Sequence, residues 1–222
     1  SIIRQADFII DKSLVNNEMF QYISNWIAIN FQPMQTKVMD GEAVMVHVME
    51  KYFTKEKAFW MTDQDVAAVK KKVYEMKASL LNSQAPDVSA RDLNGNMRSI
   101  YELKEDYIVI FMFDPDCDHC QKETPELLNI YKEWKPKSLE VYAIVLNSKD
   151  KEWRDFVTKY HTESWINVHD PTNQSIYAKY FVDITPEIYV LNKERKIIGK
   201  NLHPEQIPFI IKQDQERKSK AK

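Results

Sequence analysis

Glycine is almost missing: Gly41, Gly95 and Gly199 are the only three in 222 residues. A loop that cradles phosphate needs several closely spaced glycines, so most nucleotide-binding readings fall away. Cysteine is scarcer still, at two. Two cysteines spent on one motif cannot staple a disulfide scaffold, and structural zinc wants four ligands, usually two Cys pairs. No apolar run nears the roughly 20 residues that span a bilayer. Neither sign of charge is in excess: 31 Lys and Arg stand against 33 Asp and Glu, a formal net charge of −2. That removes the electrostatic case for nucleic acid or an anionic membrane. The chain starts at Ser1 with neither an initiator Met nor an apolar leader. The expectation is a mature or trimmed form whose targeting segment has been removed.

What the chain does have is apolar mass: 44% hydrophobic and 12% aromatic residues, enough for a core in one or two domains. The first eighty or so residues read as helical. Phe20, Ile23, Ile27 and Phe31 recur at helical spacing, as do Met45, Val48 and Tyr52, and Val66, Val69, Val73, Met76 and Leu80. Thr62 and Asp65 have the spacing of a capping box, and Asp40-Gly41 marks a break before the second of these stripes. They read as core.

The pattern changes near residues 82–86. Asn94-Gly95 is a tight-turn signal between extended segments, and residues 107–113 form a continuous apolar run, as in a strand buried on both faces. Residues 121–134 read as a helix with Pro125 inside it, 140–146 as a second buried strand, and 151–160 and 175–180 as helices. Residues 187–191 and 196–198 read as a hairpin and 204–212 as a last helix. Residues 215–222 are polar and basic, a frayed end. The expected division is a helical accessory domain over 1–83, an α/β domain over 84–214 and a tail over 215–222.

Both cysteines sit in Asp116-Cys117-Asp118-His119-Cys120, directly after the apolar strand and before a helix. This is the layout of a dithiol redox site. At the helix N-terminus, free backbone N–H groups and the helix dipole favour a thiolate at Cys117, which makes it the nucleophile and Cys120 the resolving thiol. His119, if protonated, would stabilise that thiolate and make the disulfide more oxidising, whereas Asp116 and Asp118 would repel it. The direction of exchange stays open. Glu123, one helical turn beyond Cys120, could take the resolving proton or simply be a first-turn acid facing the dipole. Asp114, Asp116 and Asp118 mimic the start of a calcium loop, but the sixth position is His119 and the twelfth Pro125, so it is rejected. No metal ligand set and no cofactor is expected. His161 and His169 read as surface or supporting residues.

Taken in order, Ala85-Pro86-Asp87-Val88, Asp92-Leu93-Asn94-Gly95, the strand and C-x-x-C of residues 113–120, Glu123-Thr124-Pro125 and Asp183-Ile184-Thr185-Pro186 resemble the thioredoxin-fold thiol–disulfide oxidoreductases of the cytochrome-maturation (TlpA/ResA-like) type. The resemblance covers residues 85–211. It implies an α/β thioredoxin-like fold, a mixed sheet flanked by helices, preceded by a small all-α domain. It implies a cis-proline loop in which Thr185 and Pro186, together with Asp118 and His119, meet a substrate peptide, with catalysis by Cys117, Cys120 and Glu123. It implies partners that are protein dithiols and disulfides together with a membrane or soluble redox protein, and a periplasmic or other extracytoplasmic setting, with the lost N-terminal segment a possible membrane anchor. Residues 37–41 through 47–52 resemble a helical domain of unassigned function that precedes such redox domains in some Gram-negative bacteria. There are departures from thioredoxin: Asp116 stands where Trp usually precedes the first cysteine, Phe111 where thioredoxin has a buried Asp, and Asp118-His119 replaces Gly-Pro. Two alternatives compete. A thiol peroxidase of this fold needs Thr where Asp114 stands. A metal- or partner-binding thioredoxin-like module needs wider cysteine spacing and a distal His for copper, or no C-x-x-C at all.

Overall fold

The computed structural model describes residues 1–33, 35–36, 38–177, 179–182 and 184–220, without the side chains of Ser175 and Tyr177. Lys37 and Asp183, part of the motifs above, lie outside the described residues, as do Ala178 and the last two residues of the tail. The chain separates into two compact units, Ser1–Leu80 and Leu81–Lys222.

The first unit is helical throughout: α1 (Ile2–Ser13), α2 (Asn17–Asn30), α3 (Gly41–Tyr52) and α4 (Asp63–Lys77). Gly41 opens α3 because a Cβ there would stand 2.3 Å from Thr36 Cγ2. Thr62 and Asp65 close a reciprocal capping box on α4, satisfying two amides that the first turn leaves free. Val66, Val73 and Met76 are buried, but α4 stops at Lys77, so Leu80 falls beyond the stripe that sequence spacing assigns it to. The buried Tyr52 hydroxyl donates to Asp7 (3.0 Å) and Asp11 (2.7 Å), tying α3 to α1. His47 and Lys51 also reach Asp7. Burial alone would raise the Asp7 pKa, but these hydrogen bonds outweigh it and hold the carboxyl below its ordinary range.

The second unit is built on one seven-stranded mixed sheet. In chain order its elements are β1 (Ser89–Asp92), β2 (Met97–Ser99), β3 (Tyr107–Phe113), α5 (Asp118–Trp134), β4 (Leu139–Val145), α6 (Asp150–Tyr160), β5 (Ile166–His169), α7 (Gln174–Tyr177), β6 (Glu187–Leu191), β7 (Ile197–Gly199) and α8 (Ile207–Lys220). Strand order is β2-β1-β5-β4-β3-β6-β7. β3 runs parallel to β4 and antiparallel to β6, and β4 runs parallel to β5. Side chains alternate across a strand, and β3 uses both faces. Ile108, Ile110 and Met112 join the core cluster with Val88, Tyr142 and Tyr189. On the other face Phe111 and Phe113 stack on each other, Phe111 meets Trp165 and Phe113 meets Phe156. Phe111 thus fills with apolar surface the place where thioredoxin buries an acid. Gly95, at φ +83°, makes the β1–β2 turn, with Asp92 accepting the amides of Asn94 and Asn96.

Three expectations need correction. β5 is a strand that the sequence pattern did not announce. It carries His169, which is buried, packs on Trp153 and places Nε2 3.0 Å from the Ser148 carbonyl, so it is a core residue rather than a surface one. The last helix does not end near residue 212, and residues 215–220 are not a frayed tail. After a 3₁₀ turn at Pro204–Gln206, α8 continues to Lys220. Its polar last turns are pinned: Lys218 pairs with Glu194 and Asp214, and Asp214 accepts from the Tyr107 hydroxyl. Among the described residues no helix is long and apolar enough to cross a membrane.

Candidate active site

β3 delivers the chain to its C-terminal edge, where open α/β sheets place their sites. Asp114 shapes the turn that follows. Its carboxylate accepts the Asp116 amide (2.9 Å) and its carbonyl accepts the Cys117 amide (3.1 Å). Cys117 is the N-cap of α5, in extended conformation. The helix therefore begins at Asp118, three residues earlier than the sequence pattern suggests, and the Cys120 amide is one of its unpaired first-turn donors. That amide donates to Cys117 Sγ over 3.3 Å. Both sulfurs are free thiols; Cys117 is partly exposed and Cys120 fully buried.

Thr185 approaches both sulfurs from the other side of the site. Its carbonyl accepts from Cys117 Sγ at 3.1 Å, and the Thr185–Pro186 peptide is cis. Burial pushes the Cys120 thiol pKa far up, and the neighbouring Cys117 adds to this. The Asp114 backbone and the Thr185 side chain, close to the Cys120 sulfur, pull the other way. Asp118 and His119 are exposed on the first turn of α5. Among the described residues no cluster of His, Cys, Asp or Glu could hold a metal ion.

Glu123 lies on α5 three residues past Cys120, on the same helix face, and is buried. Burial raises its pKa; His203, with Nδ1 2.8 Å from Oε1, opposes that rise, and Glu126 and Glu205 reinforce it. His203 precedes the 3₁₀ turn before α8 and had no sequence signal, since a lone His 80 residues from Glu123 belongs to no spacing. His119, Lys122, Glu123, Glu126, His203 and Glu205 line one depression of about 480 Å³ beside the dithiol. The structure thus gathers Cys117, Cys120 and Thr185 at the sulfurs, and Glu123 and His119 at the adjoining depression.

The second unit has the thioredoxin-like fold of the thiol–disulfide oxidoreductases, with Cys117 and Cys120 near each other. The chain belongs to the AhpC/TSA family, whose profile matches residues 81–200, more than half of it. It is similar to a thiol-disulfide oxidoreductase ResA from Bacillus thuringiensis, 24% identical over 118 residues, covering 53% of this chain and 67% of that one. Among solved structures it is similar to a domain of a possible thiol-disulfide isomerase from Cytophaga hutchinsonii. That domain is 33% identical, with TM-score 0.59, over 64% of this chain and 97% of the other. A thioredoxin-like protein from Bacteroides caccae shares the fold over 94% of this chain and 76% of its own, at 19% identity and TM-score 0.79.

Proposed function

We propose that this protein exchanges disulfides with protein substrates through a Cys117–Cys120 dithiol. The observation that carries the reading is the asymmetry of the two sulfurs: Cys117 is reachable and accepts a helix N-terminal amide, whereas Cys120 is buried behind it. The Cys117 thiolate attacks a partner disulfide and joins one partner sulfur, and the other leaves as a thiolate. Cys120 then gives its proton to Glu123 and attacks Cys117. The Cys117–Cys120 bond forms, the mixed disulfide breaks and the partner has gained two electrons. Run backwards, the same steps oxidise a partner dithiol. The Thr185–Pro186 loop, Asp118 and His119 form the surface on which the partner peptide lies, with the Thr185 backbone available for strand-like pairing.

The setting that fits is extracytoplasmic, by the resemblance to cytochrome-maturation thioredoxins. The helical residues 1–83 act as an accessory that biases partner choice, since they hold no cysteine, and residues 84–214 carry the redox chemistry. The test is trapping. With a model disulfide protein such as insulin, wild type reduces it, Cys120→Ser accumulates a mixed disulfide and Cys117→Ser does neither. Trapping by Cys117→Ser would reverse the roles, and wild-type peroxide consumption without disulfide reduction would favour a thiol peroxidase.

A further inference from the structure

Resting on the dithiol reading above, we propose that His203 is a positioning residue that aims and holds the Glu123 carboxylate to accept the Cys120 proton. Glu123 is hard to keep ionised by location alone: its side chain is 10% exposed, and a buried carboxyl resists giving up its proton. The two carboxylates that face it, Glu126 from α5 and Glu205 from the 3₁₀ turn, work against ionisation too. Lys122 and His119 also line the depression. Among the described residues, His203 is the side chain that hydrogen-bonds Glu123, with Nδ1 2.8 Å from Oε1.

The two oxygens of Glu123 are then distinct. Oε1 is engaged by His203, while Oε2 is buried with no hydrogen-bond partner among the described residues. A buried oxygen without a partner is costly in a structural carboxylate and is what a proton acceptor needs. Cys120 is buried on the same face of the helix, one turn back. In the resolving step the Cys120 S–H bond breaks and its proton goes to Glu123. The sulfur electron pair forms the bond to Cys117, and the partner sulfur leaves with the pair of the broken mixed disulfide. His203 itself is 66% exposed, so the carboxyl can return its proton to water beside it. The backbone that carries the ring is held: the His203 amide donates to Gln206 Oε1 (2.8 Å) and its carbonyl accepts the Gln206 amide (3.0 Å).

The experiment follows two phases of thiol release when the reduced full chain meets a chromogenic aromatic disulfide, across pH 5 to 9. The first phase reports attack by Cys117 and the second resolution by Cys120. The variants are His203→Ser and His203→Asn. Both residues cap a helical turn well, but only the Asn amide can stand where Nδ1 does. The expected result is an unchanged first phase in both. In His203→Ser the acid limb of the second phase should move up by about one pH unit, so resolution on that limb is about tenfold slower. His203→Asn should restore most of it. The proposal is overturned if His203→Ser keeps the wild-type profile, if His203→Asn shifts as far as Ser, or if both phases change alike. Failure of the dithiol reading would look different: wild type itself would release one equivalent and stop.

Discussion

The carbonyl of Thr185 lies 3.1 Å from the sulfur of Cys117, across 68 residues of sequence, and the Thr185 side chain reaches the Cys120 sulfur as well. One residue therefore contacts both halves of the dithiol, by backbone to the exposed sulfur and by side chain to the buried one. Thr185→Val keeps the first contact and deletes the second. Cys120 should become a weaker acid still, and resolution should slow about threefold to tenfold, the scale of losing one hydrogen bond, with little change in the Cys117 attack. Thiolate absorbance of Cys120, titrated in a Cys117→Ser background, checks this; an unchanged titration would mean the hydroxyl plays no part.

His119 lies between the two cysteines in sequence and is exposed. Replacing it with Pro removes a potential cation, so the dithiol form should lose stability and the couple become more reducing by about 10–30 mV, kept small by solvent screening. Equilibration with glutathione measures it. A potential within about 10 mV of wild type, or roughly 0.5 kcal/mol for two electrons, would leave His119 uncoupled from Cys117.

Glu123 gives the fold a pH dependence whose sign can be worked out. Its pKa is raised in the folded protein by burial, despite His203. The unfolded chain ionises it near the ordinary Glu value of about 4.3. Below that value both states are protonated and nothing is lost. As pH rises from there through the raised folded pKa, the unfolded state gives up its proton more readily and stability falls. Glu123→Gln should therefore be more stable than wild type at pH 7 to 8, while resolving mixed disulfides more slowly. Denaturant midpoints at pH 4 and pH 7.5 would show the gap between the two proteins opening with pH; a constant gap would contradict the linkage.

In the helical unit, Tyr52→Phe deletes the two hydrogen bonds to Asp7 and Asp11. Both acceptors keep some contact with water, so the cost should sit near 1–2 kcal/mol rather than at the upper end for charged acceptors. Because Asp7 is held below its ordinary range, its contribution is present above about pH 4 and is lost as pH falls through the depressed value. Urea unfolding of this variant and wild type at pH 7 and pH 3 is the measurement. The difference should be larger at pH 7.

Legibility tracked how local each signal was. The β3 run, the Asn94-Gly95 turn and the Thr62–Asp65 box each announce themselves within a few residues, and each forms where its chemistry requires. The positions of Cys117 and Cys120 around a helix start were legible for the same reason. β5 was not, because residues 166–169 are only four long and mix Asn167 and His169 with two apolar residues. Residues 215–220 looked like a loose end because what holds the end of α8 is remote: Glu194 for Lys218, and Tyr107 for Asp214 just before them. His203 was invisible because its meaning lies in a contact 80 residues away. Charge pairs of long sequence separation leave no period to read.

The partial cover over Cys117 has a consequence of shape. Cys117 is only partly exposed: its sulfur is seated at a helix end with the Thr185 carbonyl 3.1 Å away. In-line displacement needs the attacking sulfur and both partner sulfurs on one axis. A disulfide lying flat in a folded surface cannot present that axis. If the proposed exchange holds, partners would offer theirs on a protruding loop or a locally opened segment, and the site would sort candidates by how far their cystine stands out before any side chain beside it is sensed.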